Sequence, residues 1–260
     1  MKTENNHEAV KRICTFLANY TTALLGCGAS CIRAKRNVNR MAEALGVTTN
    51  MIMLPNNVDI SVWDSDHRHS YHQTVAINHR HNSFSINMQL SSLSWKIYEK
   101  QITFSEAEAE FERIVATRAI NKWLVMLLVA AANASFCRLF GGDFVSMGIV
   151  AFATLVGYYL KIILLDARFD TRATFMCCSF LSAVIGTAGY VFSLGTTPEI
   201  ALGTSVLYLI PGIPYINSVS DMIEGFHLHA FSRFVGALIL TACIAIGMTG
   251  AFYIMNITLF

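Results

Sequence analysis

The residues best placed to do chemistry follow a helix-breaking motif. Asn217, Ser218, Asp221 and Glu224 come just after Pro211-Gly212-Ile213-Pro214. Asn217, Asp221 and Glu224 are spaced four and three apart, so in a helix they share one face. Ionisable groups within membrane spans are costly and usually functional, and a bundle-facing carboxylate there can take up and release a proton. Asp221 is therefore the first candidate for proton coupling, with Glu224 beside it. The alternative is that both carboxylates lie at the solvated end of a span. Tyr208, Pro211, Gly212, Pro214, Asn217 and Ser218 form the candidate substrate-binding set. Each proline lacks an N–H and collides with the carbonyl one turn earlier, so the pair interrupts the helix. In hydrocarbon, freed backbone groups are tolerated only where protein or a water-filled cavity satisfies them, as in the discontinuous helices of transporters. An ordinary proline kink is the plainer reading.

Other polar side chains interrupt apolar runs. Asn133 sits mid-span and needs a hydrogen-bond partner, so it should face other helices, for packing or for ligand. Arg138 and Asp143 flank Gly141-Gly142, where they either pair or mark the interface. Lys161 reads as snorkelling to the headgroups, with a substrate carboxylate as the alternative partner. Ser182, Gly186, Gly189, Gly247 and Gly250 are expected at close helix contacts. A rival site lies in His67, His69, His72, His79 and His81, because alternate residues on a strand share a face and two histidines there can ligate a transition metal. No cysteine pair or HExxH helix accompanies them, so no metal site is assigned. Cys27 and Cys31 lie at helical spacing and are read as packing residues. GxSxG, Walker and GxGxxG motifs are absent, so the expectation is no catalytic residue, no cofactor and no enzyme activity.

The elements that position these residues fall into two compositional halves. Of 19 Lys and Arg and 17 Asp and Glu, residues 1–122 hold 14 and 11, a net +3, whereas the remainder is at −1. The mean hydropathy of +0.47 is too apolar for an ordinary soluble chain. We read residues 1–118 as a small cytosolic α+β domain and 119–260 as a membrane domain. In the first, apolar residues from Val10 to Leu25 keep a helical rhythm. GCGAS at 26–30 turns the chain, and Ser30 is placed to cap a second helix ending at Gly46. Segments 47–54, 58–63 and 70–78 have the β-branched content of short strands. Helices over 85–101 and from 103 onward come next. In the second domain, uncharged runs give five transmembrane helices at about 119–140, 144–165, 173–195, 200–220 and 232–257.

Arg113, Arg118, Lys122, Lys161, Arg168, Arg172 and Arg233 collect at the ends on the side of the N-terminal domain. Only Arg138 lies on the other side, which places the N-terminal domain inside and the C-terminus outside. The N-terminus lacks the apolar core of a signal peptide, and the seven cysteines are expected as free thiols in a reducing compartment. A net charge of +2 is no nucleic-acid signal.

GCGASCIRAKRNVNRMAEALG at 26–46, FCRLFGGDF at 136–144 and LYLIPGIPYINSVSDMIEG at 207–225 resemble the threonine/serine exporter family, ThrE type, in the same order along nearly the whole chain. With five spans, the chain is similar to the YjjP half of the split YjjP/YjjB arrangement. That resemblance implies a bacterial inner-membrane secondary exporter subunit, a separate YjjB-like membrane subunit, and export of threonine and serine or of succinate. An odd number of spans also suits assembly with a second module, and a higher oligomer is open. Two other functions stand beside it. One is a membrane-anchored metal-binding sensor or enzyme using the histidines, and the other a channel-like leak pathway.

Overall fold

The computed structural model describes residues 2–78, 82–117 and 120–257, with side chains from His7 onward. His79, His81 and Arg118 lie outside the described residues. The chain forms two compact units, residues 1–118 with 213–235, and residues 119–212 with 236–260.

The first unit is built from helices α1 (Lys2–Gly26) and α2 (Cys31–Ala44), strands β1 (Val47–Met53), β2 (Asn57–Asp64) and β3 (Ser70–Ala76), and helices α3 (Phe84–Tyr98) and α4 (Phe104–Val115). The strands form an antiparallel meander in the order β1-β2-β3, with Ile60 opposite Met51 on one side and Gln73 on the other. Alternation on β2 buries Val58, Ile60 and Val62, which join the apolar core of α1. Along α1, Val10, Cys14, Leu17, Tyr20 and Leu24 are buried, the spacing of one helix face. Tyr20 is the polar centre of this core. Its hydroxyl donates to the Leu90 carbonyl at 2.8 Å and accepts from Asn37 Nδ2 at 2.9 Å, joining α1, α2 and α3. Burial raises the Tyr20 phenol above its ordinary range, so the hydroxyl keeps the proton it donates. A capping box closes the start of α4, where Thr103 accepts from Glu106 N–H and the Glu106 carboxylate accepts from Thr103 N–H.

Helices α5 (Lys122–Leu139), α6 (Phe144–Asp166) and α7 (Thr171–Val191) belong to the second unit. They are followed by α8 (Pro198–Thr204), a 3-10 turn at Leu207–Leu209, α9 (Gly212–Ile223) and α10 (His227–Ile254). Neighbours α5 and α6, α6 and α7, and α7 and α8 pack together. Leu124, Leu127, Leu128, Phe136 and Leu139 on α5 are nevertheless exposed, as are Phe144, Phe152 and Ile163 on α6. Rows of large apolar side chains turned outward suit a lipid solvent, not water. Small residues lie where helices touch, as their sequence positions led us to expect. A Cβ on Gly247 would strike the Met176 carbonyl, and one on Gly186 would strike Ser205.

Among the described residues four helices, α5, α6, α7 and α10, are long and apolar enough to cross a membrane. A fifth is obtained only by counting Pro198–Leu209 and Gly212–Ile223 as one broken span. The fourth span, expected at 200–220 with an interruption at the prolines, consists of shorter pieces that break at Ile210 and Pro211, as the proline chemistry requires.

Candidate functional site

The expected shared face on α9 exists, and it is turned toward the backbone of the Gly26–Ser30 turn. Asn217 Nδ2 donates to the Gly28 carbonyl at 2.8 Å. Gly28 has φ +86°, a left-handed conformation that strains any side chain, so the turn holds its carbonyls out where glycine alone is comfortable. One helical turn further on, Asp221 Oδ1 accepts from the Cys31 backbone N–H at 2.7 Å. Cys31 is the first residue of α2. Ser30 occupies the N-cap position as expected, but its side chain makes no capping bond. A carboxylate 190 residues away in sequence supplies that cap and complements the helix dipole.

The other oxygen, Asp221 Oδ2, accepts from Arg233 at 3.0 Å, and the same guanidinium donates to the Ala29 carbonyl at 2.8 Å. Asp221 has no accessible surface and the Arg233 side chain retains 17% of its own. Asp221 is therefore an internal counter-ion, in place of the solvated span end considered as the alternative. Glu224 completes the face, 3.6 Å from Arg36, with both partners partly in solvent and the pair correspondingly weak. Ser218 donates to the Ala230 carbonyl at 2.9 Å. Arg233 and the carbonyls of Gly28 and Ala29 were missed as partners. The available signal was the break at Gly225 between Asp221 and Arg233, which folds α9 and the start of α10 into a corner; Gly225 has φ +86°.

Pro214, on α9, lies in the first unit, and the remaining candidates lie in the second. Tyr208 Oη is 2.9 Å from Ser182 Oγ, which donates to the Ala153 carbonyl at 3.2 Å. Gly157 makes room for this contact, since a Cβ there would collide with both hydroxyls. Asn133 meets its expected partners on other elements, donating to Thr154 Oγ1 at 2.7 Å and the Thr204 carbonyl at 3.2 Å. Lys161 lies 4.7 Å from the Phe175 ring and 5.5 Å from that of Tyr158, a cation–π setting for its ammonium group. Arg138 and Asp143 do not pair. Arg138 donates to the Gly142 carbonyl at 3.1 Å, while Asp143 caps α6 through Ser146 N–H and accepts from the backbone and hydroxyl of Thr196. Those amide donors, Thr196 first, hold the Asp143 carboxyl well below the usual carboxylate range.

Of the described loop and strand histidines, His72 Nδ1 lies 3.0 Å from Ser61 Oγ. His67, His69 and His72 belong to no cluster of metal-ligand geometry among the described residues. Among the described residues the cysteines form no disulfide.

Four apolar helices with outward-facing large side chains, together with a helical and antiparallel-sheet unit, define a multi-pass membrane protein of mainly helical class. The chain belongs to the ThrE family, described as "Putative threonine/serine exporter", whose profile matches residues 15–255. It is 27% identical to the "Probable succinate transporter subunit YjjP" of Klebsiella aerogenes, with 95% of each chain covered. It is also 27% identical to the protein of that name from Escherichia coli K12, covering 99% of this chain and 98% of that one. No solved structure matches it.

Proposed function

We propose that this chain is one subunit of a secondary exporter of the bacterial inner membrane, with the N-terminal residues cytoplasmic and the C-terminus outside. It moves a small organic acid or amino acid, of the succinate or the threonine and serine type, together with a second, YjjB-like membrane subunit. One observation carries the mechanism: the segment after the proline break is fastened to the Gly26–Ser30 turn through a buried carboxylate, Asp221, with Arg233 as its counter-ion. A fastening of this kind has two discrete arrangements, docked and released, and alternating access needs such an element. Asp221 assists docking by offering one oxygen to an amide and the other to a guanidinium, and Glu224 supports it from the solvent side. Tyr208, Pro211, Gly212, Pro214, Asn217 and Ser218 are assigned to the substrate path. Coupling is assigned to opening of the Asp221–Arg233 pair.

Reconstitution of both subunits in vesicles loaded with succinate, serine or threonine tests the reading. Gradient-driven efflux of one class supports it. Equal, gradient-independent leakage of all three would favour a channel. Cysteines placed one at a time from Tyr208 to Asn217 should react with small aqueous thiol reagents during turnover. Uniform inaccessibility from both sides would remove this segment from the path.

A further inference from the structure

The corner that holds Asp221 contains a second set of groups that the exporter reading does not use. Cys31, at the start of α2, and His229, near the start of α10, are both buried beside it. One donor atom from each of Cys31, Asp221 and His229 lies within 4.8 Å of the others. We infer that Cys31 Sγ, an Asp221 carboxylate oxygen and a His229 ring nitrogen form a binding site for a divalent transition metal, zinc by ligand type. Thiolate, imidazole and carboxylate together match zinc, with bonds of about 2.0–2.3 Å that put donors about 3.3–3.8 Å apart around a tetrahedral ion. From the 4.8 Å limit the three donors need to close by at most about 1–1.5 Å, within reach of side-chain rotations.

The surroundings orient the donors as a metal centre requires. His229 Nδ1 lies 3.2 Å from the Leu54 carbonyl, which can only accept, so Nδ1 carries the proton and Nε2 is the coordinating atom of a neutral ring. Asp221 is held from two sides, by Arg233 and by Cys31 N–H. Binding breaks the Cys31 S–H bond, forms an S–metal bond and releases one proton to solvent. Without metal the Asp221 and Arg233 charges cancel. With a divalent ion and a thiolate the cluster carries one positive charge, and the fourth position takes water or an anion. The ion would clamp α2, α9 and α10 at one point, holding α9 on the turn. This inference does not depend on the transport reading, because occupancy is measured without transport.

The test uses the full chain in detergent, stripped with a chelator and then titrated with Co2+ or with Zn2+ against a chromophoric chelator. The expected result is one ion per chain and a thiolate-to-cobalt charge-transfer band. The near-isosteric variant Cys31→Ser should lose that band. His229→Gln should weaken zinc binding by about 100-fold or more, beyond the 10–100-fold that losing a supporting hydrogen bond costs. Cys177→Ser and His72→Asn should leave both readings unchanged. Absence of the band in the unaltered chain overturns the inference without recourse to any variant. So does zinc binding that survives Cys31→Ser and His229→Gln, or that is lost with His72→Asn.

Discussion

Cutting both partners of the Asp221–Arg233 pair should destabilise the first unit by less than the two single cuts added together. Replacing Asp221 by Ala strands a guanidinium and removes the acceptor of Cys31 N–H. Breaking a buried pair in this way costs about 3–5 kcal/mol. Because the Arg233 side chain keeps 17% of its surface, water can reach it in the variant, and the lower end of that range, about 3 kcal/mol, applies. Arg233→Ala leaves Asp221, which has no accessible surface, without its counter-charge, and should cost about 4 kcal/mol. The double variant avoids any stranded charge and is left with unpaired amide and carbonyl groups, about 1–3 kcal/mol each. Its loss should fall short of the sum of the singles by about 2 kcal/mol, the coupling expected of residues in one network. Denaturant unfolding in mild detergent, followed by the fluorescence of Trp63 and Trp95 in this unit, measures all four corners of the cycle. Coupling below about 0.5 kcal/mol would refute the description of the two charges as one fastening.

Individual contacts give further expected outcomes. Gly157→Ala should place its methyl against Tyr208 and Ser182 and lower stability by about 1–3 kcal/mol; unchanged thermal unfolding in detergent would deny the close approach. Tyr20→Phe removes the donor to Leu90 and the acceptor of Asn37, at a cost of about 1–3 kcal/mol by denaturant unfolding. The Asp143 carboxyl is depressed below its ordinary 3.8 in the folded chain, so its contribution is fully present above about pH 4 and is lost as pH falls through the lower folded value. Thermal unfolding followed from about pH 6 to about pH 3 should therefore be less pH-dependent in Asp143→Asn than in the unaltered chain, and identical acid profiles would contradict the assignment.

The elements of the first unit were largely legible because local chemistry and burial agree there. The α1 rhythm from Val10 to Leu25, the glycines of the Gly26–Ser30 turn and the β-branched strands each announce their own conformation. The proline break was legible for the same reason, since missing N–H groups act on the residues beside them. The docking of α9 beyond the break was not. The face shared by Asn217, Asp221 and Glu224 was readable from spacing, but spacing cannot say what a face meets. Its partners include the carbonyl of residue 28 and the amide of residue 31, and a backbone group has no sequence signature. Ser30 shows the same limit. It stands at the N-cap with a suitable side chain, yet a distant carboxylate with a full charge satisfies the first amide of α2. Arg138 and Asp143, flanking two glycines, read as either a pair or markers of the interface. Nearby amides and carbonyls from Gly142 to Thr196 engage each of them separately.

Efflux from vesicles containing this chain and its partner subunit, with Asp221 or Asn at position 221, bears most directly on the proposed role of the fastening. With Asp221, export should depend on the proton gradient and stop when an uncoupler is added. With Asn in its place, gradient-driven export should fall at least about tenfold, equivalent to 1.4 kcal/mol of lost driving interaction, and the residual flux should be indifferent to the uncoupler. Export by the Asn variant at the original rate, still abolished by the uncoupler, would contradict it.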